Sequence, residues 1–137
     1  MNIYVETGAY LPERAHKTDA GLDIKARDSQ LIKAHKWALF HTGLHVQLPH
    51  GTAGLLVSKS GLNVNHGITS TGLIDEGYTG EIMVKLYNHS DTNYLVNAGE
   101  KISQLVIIPV LYEDINLCDS LDENTERGAQ GFGSSGK

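Results

Sequence analysis

A carboxylate and a tyrosine stand three residues apart in Gly72-Leu73-Ile74-Asp75-Glu76-Gly77-Tyr78-Thr79-Gly80-Glu81, a glycine-bounded segment that reads as a hairpin entering a strong strand. A carboxylate such as Asp75, set beside a metal-bound phosphate, can orient and deprotonate a water. A ring such as that of Tyr78 can lie against a sugar face and leave no room for a 2′-hydroxyl. The same residues also make an ordinary polar hairpin with a packed tyrosine, and in isolation that is the simpler reading.

Four other segments carry comparable potential. Thr18-Asp19-Ala20-Gly21-Leu22-Asp23-Ile24 brings two carboxylates around a glycine; alone it reads first as a turn entering a strand. Ser58-Lys59-Ser60-Gly61-Leu62 runs from a strand end into a tight turn, where Lys59 and Ser60 can hold a phosphate through charge, a hydroxyl and nearby backbone N–H groups. Gly99-Glu100-Lys101-Ile102-Ser103-Gln104-Leu105 places Gln104 on the polar side of an apolar strand, the usual position for a solvent-facing residue. The C-terminal stretch ends in Arg127-Gly128-Ala129-Gln130-Gly131-Phe132-Gly133-Ser134-Ser135-Gly136. Its composition is that of a disordered terminus, yet Arg can fork onto phosphate oxygens, glycines permit close approach, serines add hydroxyls and Phe132 offers a stacking face.

The elements that must hold these residues are strands. Leu44, Val46 and Leu48 alternate with polar neighbours up to Pro49-His50-Gly51, Leu55-Leu56-Val57 follows, and Ile82, Val84 and Leu86 alternate with Met83, Lys85 and Tyr87. Ile102 to Tyr112 is the last strong strand, Ser60 to His66 allows one helical turn at most, and Trp37 and Phe40 are assigned to the core. Short strands separated by frequent glycines predict an all-β sandwich, barrel or jelly roll. The 137 residues suit one domain, with a boundary predicted between 1–118 and a flexible arm over 119–137.

Bulk properties narrow the function. The net charge is -5 and the basic residues are scattered, which argues against a nucleic-acid surface. No apolar stretch approaches a membrane span, and the first residues lack the pattern of a signal peptide. Cys118 is the only cysteine, so no internal disulfide forms and a cytoplasmic setting is expected. The seven histidines show no zinc spacing.

Taken together and in order, the five segments resemble the five motifs of the trimeric dUTPase family, over about His16 to the C-terminus. Ala20 to Ile24 resembles the first motif, Lys59 to Leu62 the second, Gly72 to Gly80 the third, Gly99 to Leu105 the fourth and Arg127 to Gly136 the fifth. The resemblance implies a jelly-roll-like distorted β-barrel, a homotrimer with active sites at subunit interfaces, and Mg²⁺-assisted hydrolysis of dUTP to dUMP and pyrophosphate. By that similarity Asp75 activates the water that attacks the α-phosphorus, and Asp23 supports Mg²⁺ through bound water. Gly72, Ile74 and Tyr78 belong to the deoxyuridine site; Lys59, Ser60, Gly61 and Gln104 face the phosphates; Arg127, Gly133, Ser134 and Ser135 close on them while Phe132 stacks on uracil. Such a reaction limits uracil incorporation into DNA and supplies dUMP for thymidylate synthesis.

Three departures from the family pattern stand out. Lys59 replaces the usual Arg, which keeps charge but loses the bidentate fork. Gly77 stands where many members carry Asp. Only Thr69-Ser70-Thr71 separates Ile68 from Gly72, without the Asn that bonds uracil in many members, which leaves base recognition to backbone groups, Ser70 or Thr71. Two rivals remain: a dCTP deaminase, which shares the fold but is disfavoured by the tail, and a nucleotide-sensing regulatory protein that binds a protein partner.

Overall fold

Alternation decides the architecture. In the strand Glu81–Asn88, the residues Ile82, Val84, Leu86 and Asn88 are buried while Met83 is exposed and Lys85 and Tyr87 are half-buried. A period of two is what a sheet with one covered face requires. The computed structural model describes residues 1–121, 124, 125, 128 and 129. Among them the chain forms β1 (Asn2–Val5), β2 (Gly21–Lys25), β3 (Gln30–Ile32), β4 (Trp37–Gln47), β5 (Thr52–Ser58), α1 (Ser60–His66), β6 (Ile68–Ile74), β7 (Glu81–Asn88), β8 (Tyr94–Val96) and β9 (Lys101–Pro109).

Seven strands make one antiparallel, curled sheet in the order β1-β4-β7-β6-β5-β9-β2, and β3 pairs with β8 separately. Ile24, Ile32, Leu44, Ile82, Leu86 and Leu105 fill the space inside, each at most 1% exposed. The fold is therefore all-β, as the sequence predicted, and the distorted barrel expected from the family motifs takes the form of a curled half-barrel sheet. No helix among the described residues is long and apolar enough to cross a membrane.

β6 produces the curl. Its first half, Ile68 to Ser70, pairs with Asn88 to Leu86 of β7; its second half, Thr71 to Ile74, pairs with Val57 to Gly54 of β5. The ladder between β6 and β7 stops at Ser70, so the two strands diverge toward the turn that joins them. Gly72 permits the switch: a Cβ there would sit 3.0 Å from Leu56 Cδ1.

Several expectations change. The last strand ends at Pro109 rather than Tyr112, because proline has no N–H to extend the ladder. α1 spans seven residues, nearly two turns, closed by Gly67 at φ 64. Phe40 is buried as predicted, whereas Trp37 is 57% exposed. Trp37 shares its parity with outward-facing Leu39 and His41 on β4, and the Lys85 ammonium lies 4.1 Å from its ring centroid.

Candidate active site

Asp23, on β2, is the most enclosed charged side chain of the predicted site, at 1% exposure. β2 pairs with β9 so that Asp23 stands opposite Gln104, and β5 brings Val57 against Gln104 from the other side. Lys59, just past β5, is thereby carried to the same place. Its Nζ donates to Asp23 Oδ1 at 2.7 Å, Gln104 Nε2 donates to the same oxygen at 3.2 Å, and Lys101 Nζ donates to Oδ2 at 2.7 Å. Gly21 leaves room for the fold of Gln104, since a Cβ there would meet Gln104 Cβ at 3.0 Å. Burial alone would raise the pKa of Asp23, but the bonds from Lys101, Lys59 and Gln104 outweigh it and hold the carboxyl below its ordinary value. The sequence reading named Asp23, Lys59 and Gln104; Lys101 was quoted in its motif without a role, because Glu100-Lys101 looks like any surface pair.

Ser60 and Gly61 are exposed at the start of α1, beside Lys59. The predicted Mg²⁺ role of Asp23 meets a specific geometry: both carboxylate oxygens already accept ammonium groups. Among the described residues no three His, Cys, Asp or Glu side chains gather to hold a metal ion. This donor set does not form a protein-held magnesium cage, which needs free carboxylate oxygens.

Asp75 has the opposite setting. It follows β6 directly, is exposed, and its carboxylate makes no hydrogen bond or ion pair among the described residues. The turn it begins is closed by Tyr78 N–H donating to Asp75 O at 3.0 Å. Tyr78 folds back: its hydroxyl donates to Glu81 O at 2.9 Å, and its ring covers Gly80, where a Cβ would fall 2.5 Å from the phenol oxygen. Where β6 and β7 diverge, Leu73, Ile74, Asp75, Tyr78, Glu81 and Met83 line a cleft of about 220 Å³. The Ile74 side chain is buried in the core, so a ligand in the cleft would meet chiefly its backbone.

Glu81, which the sequence reading left as a hairpin boundary, is a strut for this cleft. Its carboxylate accepts His41 Nδ1 and the Gly43 N–H, both at 2.8 Å, and so ties the cleft to an irregularity in β4 between His41 and His45. Ser70, one of the proposed readers of a base, is buried, and its hydroxyl is paired with Ser103 Oγ at 2.8 Å. Its backbone is clasped by Ser58 Oγ from both sides, at 3.0 and 3.1 Å. Thr71 is exposed.

The two groups lie apart. Ile74 pairs with Gly54, whereas Lys59 follows Ser58 at the other end of β5. With Asp75 and Lys59 each one residue beyond those points, six residue steps along β5 separate them, about 20 Å at ~3.3 Å per step. Arg127, Phe132, Gly133, Ser134 and Ser135 lie outside the described residues.

A family model described as dUTPase matches residues 7–136 of the chain. A deoxyuridine 5′-triphosphate nucleotidohydrolase of Picosynechococcus sp. is 43% identical over 137 residues, covering 98% of this chain and 96% of the relative. The solved structure of Staphylococcus bacteriophage 80alpha dUTPase with dUpNHpp superposes with a TM-score of 0.93 at 30% identity, covering 99% of this chain and 98% of that one. A variant dUTPase from phage phi11 of S. aureus, described as revealing the coordination of a structural Mg(II) ion, superposes with a TM-score of 0.81 at 28% identity, covering 87% and 96%.

Proposed function

The chain belongs to the dUTPase family, and on that footing we propose that it hydrolyses dUTP to dUMP and pyrophosphate at a site completed by further copies of the chain. The observation that carries this reading is Asp75, an exposed carboxylate without a partner among the described residues, at the mouth of the cleft between β6 and β7. A general base must be free to accept a proton, and Asp75 is the carboxylate of the site that is.

Deoxyuridine enters that cleft with Tyr78 against the sugar. With Ser70 committed internally, uracil is read by the backbone around Gly72 and Ile74, where β6 has parted from β7. Cytosine exchanges donor and acceptor at the paired edge and leaves buried polar groups unmatched. Asp75 orients a water and takes its proton as the water oxygen bonds to the α-phosphorus. The bond from that phosphorus to the bridging oxygen breaks, and pyrophosphate leaves with the electron pair. Positioning and charge neutralisation supply most of the acceleration in such transfers.

The phosphates need cations close to the reacting phosphorus, and the Lys59 of the same chain is about 20 Å away along the sheet. A second copy therefore contributes Lys59, Ser60, Gly61 and Gln104, with Asp23 fixing the lysine. The exposed side chains of Leu111, Ile115, Leu117 and Leu121 support association of copies, because one chain alone leaves this apolar series uncovered. The homotrimer expected from the family motifs meets both needs. The arm over 119–137 then closes on the substrate, with Arg127, Gly133, Ser134 and Ser135 on the phosphates and Phe132 on the base. A magnesium ion carried by the triphosphate would supply charge neutralisation there; Asp23, whose oxygens already accept from Lys59 and Lys101, would meet it only through water. The exposed, unpaired Cys118 fits a cytoplasmic setting.

The test is a chromatographic assay of the purified chain on dUTP with and without Mg²⁺, with dCTP, dTTP and UTP as controls. Magnesium-dependent release of dUMP and pyrophosphate from dUTP alone is expected. Consumption of dCTP with release of ammonia would overturn the assignment in favour of a deaminase.

A further inference from the structure

The carboxylate next to Asp75 is bonded on every side. Glu76 Oε1 accepts His50 Nδ1 at 2.7 Å, and Glu76 Oε2 accepts the Gly51 N–H and the Tyr112 hydroxyl, each at 2.8 Å. These donors come from outside the hairpin: His50 and Gly51 form the turn between β4 and β5, and Tyr112 lies just beyond β9. The two sources are themselves joined, since Val110 N–H donates to Gly51 O at 3.0 Å. Gly51 has φ 74, a left-handed conformation that suits glycine and that here accompanies the bond from its N–H to Glu76. The bonds from His50, Gly51 and Tyr112 hold the Glu76 carboxyl down to about 2.

The His50 side chain is 92% exposed, so its charge contributes little. Geometry is the larger matter. The ladder between β6 and β7 ends at Ser70, and within the turn from Asp75 to Gly80 one backbone bond, Tyr78 N–H to Asp75 O, is formed. Gly77 sits in that turn with open space where a Cβ would be. The far end of the turn is tied to β4, where His45 Nδ1 bonds Thr79 O at 3.0 Å, and to β7 by the Tyr78 hydroxyl; at its near end, beside Asp75, the Glu76 carboxylate makes the ties to the β4–β5 turn and to Tyr112. Asp75 is the adjoining residue, so its backbone is held by the same bonds.

Resting on the reading of Asp75 as the base, we propose that Glu76 is a positioning residue for dUTP hydrolysis, clamping the Asp75 turn onto the β4–β5 turn and the root of the C-terminal segment through His50, Gly51 and Tyr112. One consequence is that the Asp75 turn and the start of the segment leading to the arm are held as one unit.

The experiment is steady-state hydrolysis of dUTP by the full chain carrying Glu76→Ala, Glu76→Gln or Asp75→Asn, with thermal melts of each. Glutamine can reproduce the clamp: its carbonyl accepts from Gly51 and Tyr112, and its amide donates to a neutral His50 Nδ1. Glu76→Ala is expected to lower kcat roughly 10- to 100-fold, as a base displaced by about an ångström would, while KM changes less than about threefold. Glu76→Gln is expected to restore most of that loss. Wild-type kcat in Glu76→Ala, a glutamine variant as slow as the alanine one, or a loss carried wholly by KM would each overturn the clamp. If Glu76→Ala does not fold, His50→Ala and Tyr112→Phe take its place: lowered kcat at constant KM supports the clamp, and wild-type kcat in both overturns it. Asp75→Asn separates the two levels. Full turnover there removes the base itself, whereas an inert Asp75→Asn beside a fully active Glu76→Ala overturns the clamp alone.

Discussion

Asp23 and Asp75 carry the same functional group at opposite ends of one curled sheet, and the fold treats them in opposite ways. Asp23 is enclosed by β2, β5 and β9, with two ammonium groups and an amide on its oxygens. Asp75 stands on an open turn with no such partner among the described residues. A carboxylate whose lone pairs are filled by cations is a poor proton acceptor but a good anchor, because protonating it would leave two neighbouring ammonium groups without their counter-ion. A carboxylate left free on a supported turn can take a proton from water. The difference teaches that one carboxylate is committed to cations before any ligand arrives, while the other is left open; on the proposed reading the first end faces the phosphates and the second carries the reaction.

The largest effect expected from breaking this contrast is on turnover. Asp75→Asn should lower kcat by about 10²–10⁴ while dUTP binding, measured by calorimetry, stays near wild type. Near-normal turnover would erase the distinction between the two aspartates. Asp23→Asn should act on folding instead, by leaving Lys59 and Lys101 without their counter-ion. A loss of about 1–3 kcal/mol in urea unfolding is expected, less than for a fully buried pair because both lysines keep contact with water.

The same anchor sets a pH dependence. The folded pKa of Asp23 is lowered, so its contribution is complete above the ordinary value of 3.8 and is lost as pH falls through the lowered folded value. Melts from pH 6 to pH 2 of wild type and Asp23→Asn should therefore converge at the acid end; a constant gap would show that Asp23 stabilises by packing rather than charge. The smallest effect is expected at Ser70→Ala. Losing the bond to Ser103 should cost about 1 kcal/mol while the preference for dUTP over dCTP is unchanged. A changed preference would return Ser70 to the base-reading role that its burial argues against.

Much of this was legible in the chain. The even-numbered positions Ile82, Val84 and Leu86 announced an inward face, and all three are fully buried. The same parity, carried back from Leu44, Val46 and Leu48, places Trp37 outward; its residue type suggested the core, and the register prevailed. β1, β3 and β8 were not legible, being three or four residues long and given meaning only by partners distant in sequence. β6 was half-legible: its glycine and hairpin were recognised, but the change of partner at Ser70 depends on β5 and β7 together. At the site, residue types at motif spacing named Asp23, Lys59, Asp75, Tyr78 and Gln104 as candidates, and the fold brings Asp23, Lys59 and Gln104 into contact. Lys101 and Glu76 were passed over because each looks like a surface charge until its partners are seen.

By itself the sequence determined the strand periodicity, the glycines at turns and the chemical inventory of five motifs, since these rest on local sterics, hydrophobic alternation and functional groups at fixed spacing. Only the tertiary structure decided which carboxylate is filled and which is free. Hydrogen bonds reach about 3 Å, and the partners that set each environment lie tens of residues away: Lys59 and Lys101 for Asp23, His50 and Tyr112 for the Glu76 that holds Asp75.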